Sequence, residues 1–157
     1  MTRAGADFAQ LLLAGFRQMA DRATAELVAR GYEEVRPVHD FALQAILAGA
    51  RSTSDVGRRM SVSKQAAAKT IAALEKRNYV AREPDPSDGR RHRLYVTAHG
   101  LRMLSEAEAI FDELFEEWAN QVGLVALAET EGTLRQLVGG TAIQVDAAKW
   151  MTPDVEA

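Results

Sequence analysis

Residues Ser61 to Thr97 constrain this chain more than any other stretch, because a helical period there gives way at once to two short runs of strand composition. Ser63 is placed to cap the helix, its hydroxyl accepting a bond from a backbone N–H that has no partner in the first turn. Ala67, Ile71, Leu74 and Asn78 follow at steps of four, three and four residues, so they share one face. At about 100° per residue, Gln65, Lys69, Ala72 and Lys76 fall on the opposite face, with Ala68 beside them. The helix is expected to end near Asn78, a residue that tolerates the left-handed backbone of a C-terminal cap. Tyr79 to Glu83 and His92 to Thr97 read as strands. Between them PDPSDG holds two prolines, two aspartates and a glycine, all turn formers.

A helix followed directly by a hairpin is the geometry of a recognition element with a wing. The outer helix face combines an amide able to bond an adenine edge, long cations, and alanines small enough for close approach, which suits entry into a DNA major groove. Ser63 and Lys64 at the helix start are candidates for phosphate contacts, Gln65 and Ala68 for base edges, Lys69 for a guanine edge or a phosphate, and Lys76, on the same face, for a DNA contact. Arg90, Arg91 and Arg93 stand at or just beyond the hairpin tip, where guanidiniums reach phosphates or a narrow minor groove. Asp88 is read as an ion-pair partner of Arg90 that stiffens the loop. The bland reading of the lysines is a solvated helix face.

The segment EKRNYVAREPDPSDGRRHRLYVTAHG resembles the wing signature of the multiple-antibiotic-resistance regulator (MarR) family of winged helix-turn-helix transcription factors. The matching elements are Tyr79-Val80, Asp85-Pro86-Ser87-Asp88-Gly89-Arg90, Leu94-Tyr95-Val96-Thr97 and Gly100. Asn78 departs from the glycine common at its position, but both residues accept the same cap geometry. The resemblance implies a mostly α fold with a small β-hairpin wing. It further implies a homodimeric, ligand-responsive repressor that binds double-stranded DNA at a pseudo-palindromic operator. Small aromatic effectors, acids or other phenolic compounds, are implied in a pocket between the dimerisation and DNA-binding parts. Phe16, His39, Phe41 and Phe111 are the candidates for its walls. The alternative is a winged-helix module that contacts an acidic protein partner instead of DNA.

The net charge of −3 argues against nucleic acid only until its distribution is considered. Arg51 to His99 carries 11 Lys+Arg against 5 Asp+Glu, a balance of +6, and the rest carries 8 against 17, a balance of −9. Positive charge is thus concentrated on the segment suspected of meeting phosphates. The absence of cysteine excludes disulfides, thiolate metal sites and thiol redox sensing. No apolar run approaches the length of a membrane span and no signal-peptide pattern is present, so a cytoplasmic location without membrane contact is expected. No catalytic motif, P-loop or dinucleotide fingerprint is found, so an enzyme is not expected, nor is a cofactor. His39, His92 and His99 fall on different elements, which argues against a metal site. His92 and His99 are expected near DNA or solvent, and His39 as a satisfied, partly buried side chain.

The flanks are helical. Residues 6–30 carry Phe8, Leu11, Leu12, Phe16, Met19, Ala23 and Leu27 at helical spacing, with Leu13 and Ala20 widening the apolar face and Gly31 as the stop. Arg36-Pro37-Val38 opens a helix through about Leu47, with Phe41, Ala45 and Ile46 inward and Gly49 at its end. Thr53 or Ser54 is expected to cap a short helix to about Met60, Val62 to plug the turn, and Gly57 to permit a close helix crossing. Thr97 is expected to cap a long helix to about Gln121 with Leu101, Leu104, Ile110, Phe111, Leu114, Phe115 and Trp118 on its apolar stripe. Gly123 breaks it before a last helix, Leu124 to Val138. Met19, Met60 and Met103 read as core residues. The expected organisation is one domain over 1–157, with a winged helix-turn-helix lobe at 36–98 and dimerisation helices at 6–31 and 99–140. A tail follows in which Trp150 hints at docking.

Overall fold

The computed structural model describes residues 3–33 and 35–139. Six helices and one hairpin follow in the order α1 (Ala4–Ala29), α2 (Pro37–Leu47), α3 (Thr53–Arg59), α4 (Lys64–Lys76), β1 (Val80–Asp85), β2 (Asp88–Val96), α5 (Ala98–Val122) and α6 (Leu124–Val138). The mostly helical fold with a two-stranded wing is the expected one. The tail from 141 onward, Trp150 included, and Gly140 lie outside the described residues.

The helix ends follow their sequence signals. Gly31, at φ +91°, lets its own N–H reach the Val28 carbonyl at 3.0 Å while the Tyr32 N–H reaches Leu27 at 3.0 Å, a doubled turn that consumes the last free carbonyls of α1. Pro37 at the first position of α2 gives up an N–H that would have had no partner. One cap differs from expectation. α3 is capped by Ser52, not by Thr53 or Ser54: its hydroxyl accepts from the Asp55 N–H at 3.1 Å, and the Asp55 carboxylate accepts from the Ser52 N–H at 3.0 Å. The reciprocal pair decides among three consecutive hydroxyls, since only Ser52 has a carboxylate three residues on. The Arg51 N–H, first, and the Ser52 bonds hold this carboxyl below its ordinary range.

The core is built where α2, α3, α4, the strand bases and α5 converge. Leu43, Val56, Met60, Ala67, Ile71, Leu74, Tyr79, Val80, Met103 and Ile110 are all buried in one cluster. Each such aliphatic side chain contributes on the order of 1.5–3 kcal/mol relative to exposure. Gly57 allows α3 and α4 to close on each other, because a Cβ there would stand 3.3 Å from the Val62 carbonyl oxygen and 3.4 Å from the Ala67 Cβ. In α5 the buried seam is Met103, Leu104, Ala107, Ile110 and Leu114; Leu101, expected on the stripe, is turned outward.

The strands are longer than their composition suggests. β1 continues through Pro84 and Asp85, and β2 begins at Asp88, leaving only Pro86 and Ser87 as the turn. The register runs from Val80 opposite Val96 to Pro84 opposite His92, then shifts so that Asp85 faces Asp88. Proline is accepted because the hairpin is all edge. On its inner side the Leu94 N–H donates to the Arg51 carbonyl at 2.8 Å, which ties the wing to the entrance of α3.

Candidate nucleic-acid interface

α4 divides as its sequence period requires. Ala67, Ile71 and Leu74 are buried, whereas Ser63, Lys64, Gln65, Ala68, Lys69, Ala72 and Lys76 are exposed. Ser63 caps the helix through its hydroxyl oxygen, which accepts from the Ala66 N–H at 3.0 Å. Lys64, Lys69 and Lys76 have no carboxylate within ion-pairing distance among the described residues. Two non-glycine residues at positive φ bracket the helix, Ser61 at 51° and Asn78 at 59°. Asn78 takes the left-handed cap position expected of it: its N–H reaches Glu75 and the Tyr79 N–H reaches Leu74, both at 3.0 Å.

The wing is stiffened by its aspartates, but not through the pair expected. Asp85 accepts from the Ser87 hydroxyl at 2.7 Å and from the Ser87 N–H at 2.9 Å, and these bonds hold its carboxyl below the ordinary range. Asp88 accepts from the backbone N–H of Arg90 at 3.1 Å, while its ion-pair partner is the Arg91 guanidinium at 3.7 Å. The Asp88–Arg90 ion pair is therefore replaced by a backbone turn that leaves the Arg90 side chain exposed. Arg93 sits behind the tip, opposite Glu83 in the ladder and bound to it at 2.7 Å, so it is not a free projecting cation. Arg82 is likewise tied to Glu75 at 2.7 Å, bracing β1 against α4. Such exposed pairs contribute about 0–1 kcal/mol each; their effect is to fix directions. Arg90 and the α4 lysines are exposed cations with no ion-pair partner among the described residues.

The histidines do not converge, and among the described residues no group of acidic and histidine side chains is placed to hold a metal. His92 is exposed on the wing. His99 departs from expectation: its ring is stacked between Tyr79 at 4.9 Å and Tyr32 at 5.6 Å. His39 is buried, with Nδ1 accepting from the Arg36 N–H at 3.1 Å.

A second feature lies between α1, the start of α2, and α5. A cleft of about 270 Å³ is lined by Phe16, Phe41 and Phe111, three of the four expected wall residues, together with Ala23, Leu27, Met103 and Ala107. His39 does not line it. One residue further round α2, Asp40 does. Hydrophobic periodicity had no way to single out Asp40, since an acidic residue in a first helical turn usually faces water.

Residues 41–91 match the family model described as MarR family. Over 60 residues the chain is 37% identical to the transcriptional regulator HosA of Escherichia coli O111:H-, a match spanning 38% of this chain and 44% of that relative. The fold is shared with solved structures at lower identity. One is an S. aureus MepR mutant bound to an oligodeoxyribonucleotide, with TM-score 0.59, 16% identity, and coverage of 85% of this chain and 96% of that one. Another is a transcriptional regulator (MarR family) from Rhodococcus sp. RHA1, with TM-score 0.61, 20% identity, and coverage of 88% and 97%. The resemblance read from the wing signature is thus borne out, and the proteins it leads to are regulators, not enzymes.

Proposed function

We propose, from the MarR-family winged helix-turn-helix that residues 41–91 carry, that this chain is a homodimeric DNA-binding transcriptional regulator, acting as a ligand-responsive repressor in the cytoplasm. The observation that carries this reading is the set of uncompensated cations on α4 and at the wing tip, presented by a buried core that fixes their directions. Gln65, Ala68 and Lys69 meet base edges in the major groove, Ser63, Lys64 and Lys76 hold phosphates, and Arg90 enters the minor groove. Arg91 and Arg93, each ion-paired, support on the backbone.

The ends of the chain supply the second copy. Phe8, Leu11, Leu12 and Leu13 of α1 and Leu124, Val125, Leu137 and Val138 of α6 are exposed in the single subunit, and no residue of α6 is buried. Apolar surface of this kind is covered by a two-fold partner. The dimer sets two recognition helices about one DNA turn apart, so the operator is a pseudo-palindrome. Residues 36–98 form the DNA lobe, and 6–31 with 99–140 the dimerisation helices. A small aromatic effector in the cleft beside Phe16, Phe41 and Phe111 selects a lobe spacing unsuited to DNA.

Fluorescence anisotropy on the protein's own upstream DNA tests this. Arg90→Ala is expected to lower affinity by about tenfold or more without changing thermal unfolding. The logarithm of affinity should fall steeply with the logarithm of salt, by about 0.9 per phosphate contacted. Unchanged affinity in the variant rejects the role of Arg90. Absence of duplex binding at low salt rejects the whole reading in favour of a protein-contact module. Among the described residues no helix is long and apolar enough to cross a membrane.

A further inference from the structure

We infer that the cleft between α1, α2 and α5 takes a lipophilic cation, an aromatic molecule bearing an amine, and not an aromatic acid. The inference rests on the ligand-responsive reading above and names the chemistry of that site. Three phenylalanines and Met103 make the walls apolar and suited to a flat ring. The polar groups then decide the charge. The Thr24 hydroxyl is already committed to the Val35 carbonyl at 3.0 Å. Arg36 lines the cleft but is exposed and has a partner of its own, so water screens its charge.

Asp40 is different: its carboxyl is partly buried in the cleft wall and no cation is paired with it among the described residues. Burial pushes its pKa up; the Gln44 amide opposes that, and the negative charge of Glu108 on α5 adds to it. The groups lining the cleft from α1 are uncharged. An anion entering here would shed water beside the Asp40 carboxylate, a like-charge arrangement that costs free energy in a low-dielectric wall. An ammonium would supply the charge that Asp40 lacks, and its positive end would also be attracted to the phenylalanine faces.

The test is calorimetric titration of the full chain with three probes of one shape: naphthylmethylamine, naphthylmethanol and naphthoate. At neutral pH the amine is expected to bind about tenfold or more tighter than the acid. Asp40→Asn, which keeps the side-chain shape, should abolish that preference while leaving the affinity for the alcohol within about twofold. Binding of the amine should also weaken as pH falls, because protonating Asp40 removes its charge. An acid that binds as tightly as the amine, or an amine preference that survives Asp40→Asn, overturns the charge class. If that acid also weakens DNA binding, ligand response stands while this inference falls. If none of the three probes binds, both fall.

Discussion

The winged lobe and the terminal helices spend their apolar residues in opposite ways. In the lobe, Leu43, Val56, Ile71, Leu74 and Tyr79 are sealed within a single chain. In the first half of α1 and along α6, residues of the same kind face outward, Leu11 at 70% and Val125 at 72% exposure. The first region is stable as a subunit by its own packing. The second leaves many of its hydrophobic side chains exposed within one subunit, surface that the proposed two-fold partner would cover. On the proposed reading function divides along the same line: the closed region orients cations, and the open one would set how far apart two such surfaces stand.

The largest expected effect breaks the open side. Val125→Asp combined with Leu11→Asp should raise the dimer dissociation constant by about a hundredfold or more, since each change buries a charge in an apolar interface. Analytical ultracentrifugation reads this, and circular dichroism should show the lobe retained. On the closed side, Leu43→Ala should cost about 2–5 kcal/mol in urea unfolding, through lost burial and the cavity left behind. Val125→Ala, by contrast, should stay within about 0.5 kcal/mol at concentrations where the subunits are separate. Asn78→Ala should cost about 1 kcal/mol, because alanine resists the left-handed backbone that asparagine accepts.

The smallest effect separates two aspartates by pH. The folded state lowers the pKa of Asp55, so its cap stabilises the fold above the ordinary value of 3.8 and that contribution fades as pH drops through the lowered folded value. Asp40 is raised, so ionising it above its ordinary value opposes folding. Asp55→Asn should therefore lose stability at neutral pH and converge on the parent protein in acid. Asp40→Asn should lose none at neutral pH. Thermal unfolding across pH checks both.

Much of this was legible in the chain because local signals and burial agreed. Ser63, Thr97, Asn78 and Gly31 each sit where the cap they imply is made, and Ala67, Ile71 and Leu74 point inward as their spacing requires. What escaped depends on neighbours distant in sequence. PDPSDG reads as loop by composition, yet pairing extends the strands into it, since an edge needs no N–H from Pro84. The stacking of His99 involves Tyr32 and Tyr79, which no helical period connects. His39 yields its expected place in the cleft wall to Asp40, the next residue round α2: His39 turns into the N-terminal cap, and Asp40 toward the cleft.

Gly100 carries one more consequence. A Cβ there would overlap the Tyr79 carbonyl oxygen and come within 2.8 Å of Val96 Cγ1, so the first turn of α5 lies hard against the residue that leaves α4. Thr97 locks the same junction: its N–H donates to Tyr79 at 3.0 Å and its hydroxyl to the Asn78 carbonyl at 2.5 Å. With no slack at this junction, a shift of the first turn of α5 is expected to be passed to the end of α4. Since α4 is about 20 Å long at 1.5 Å per residue, a tilt of about 5° carries Ser63 through nearly 2 Å, enough to unseat every hydrogen bond its end could make.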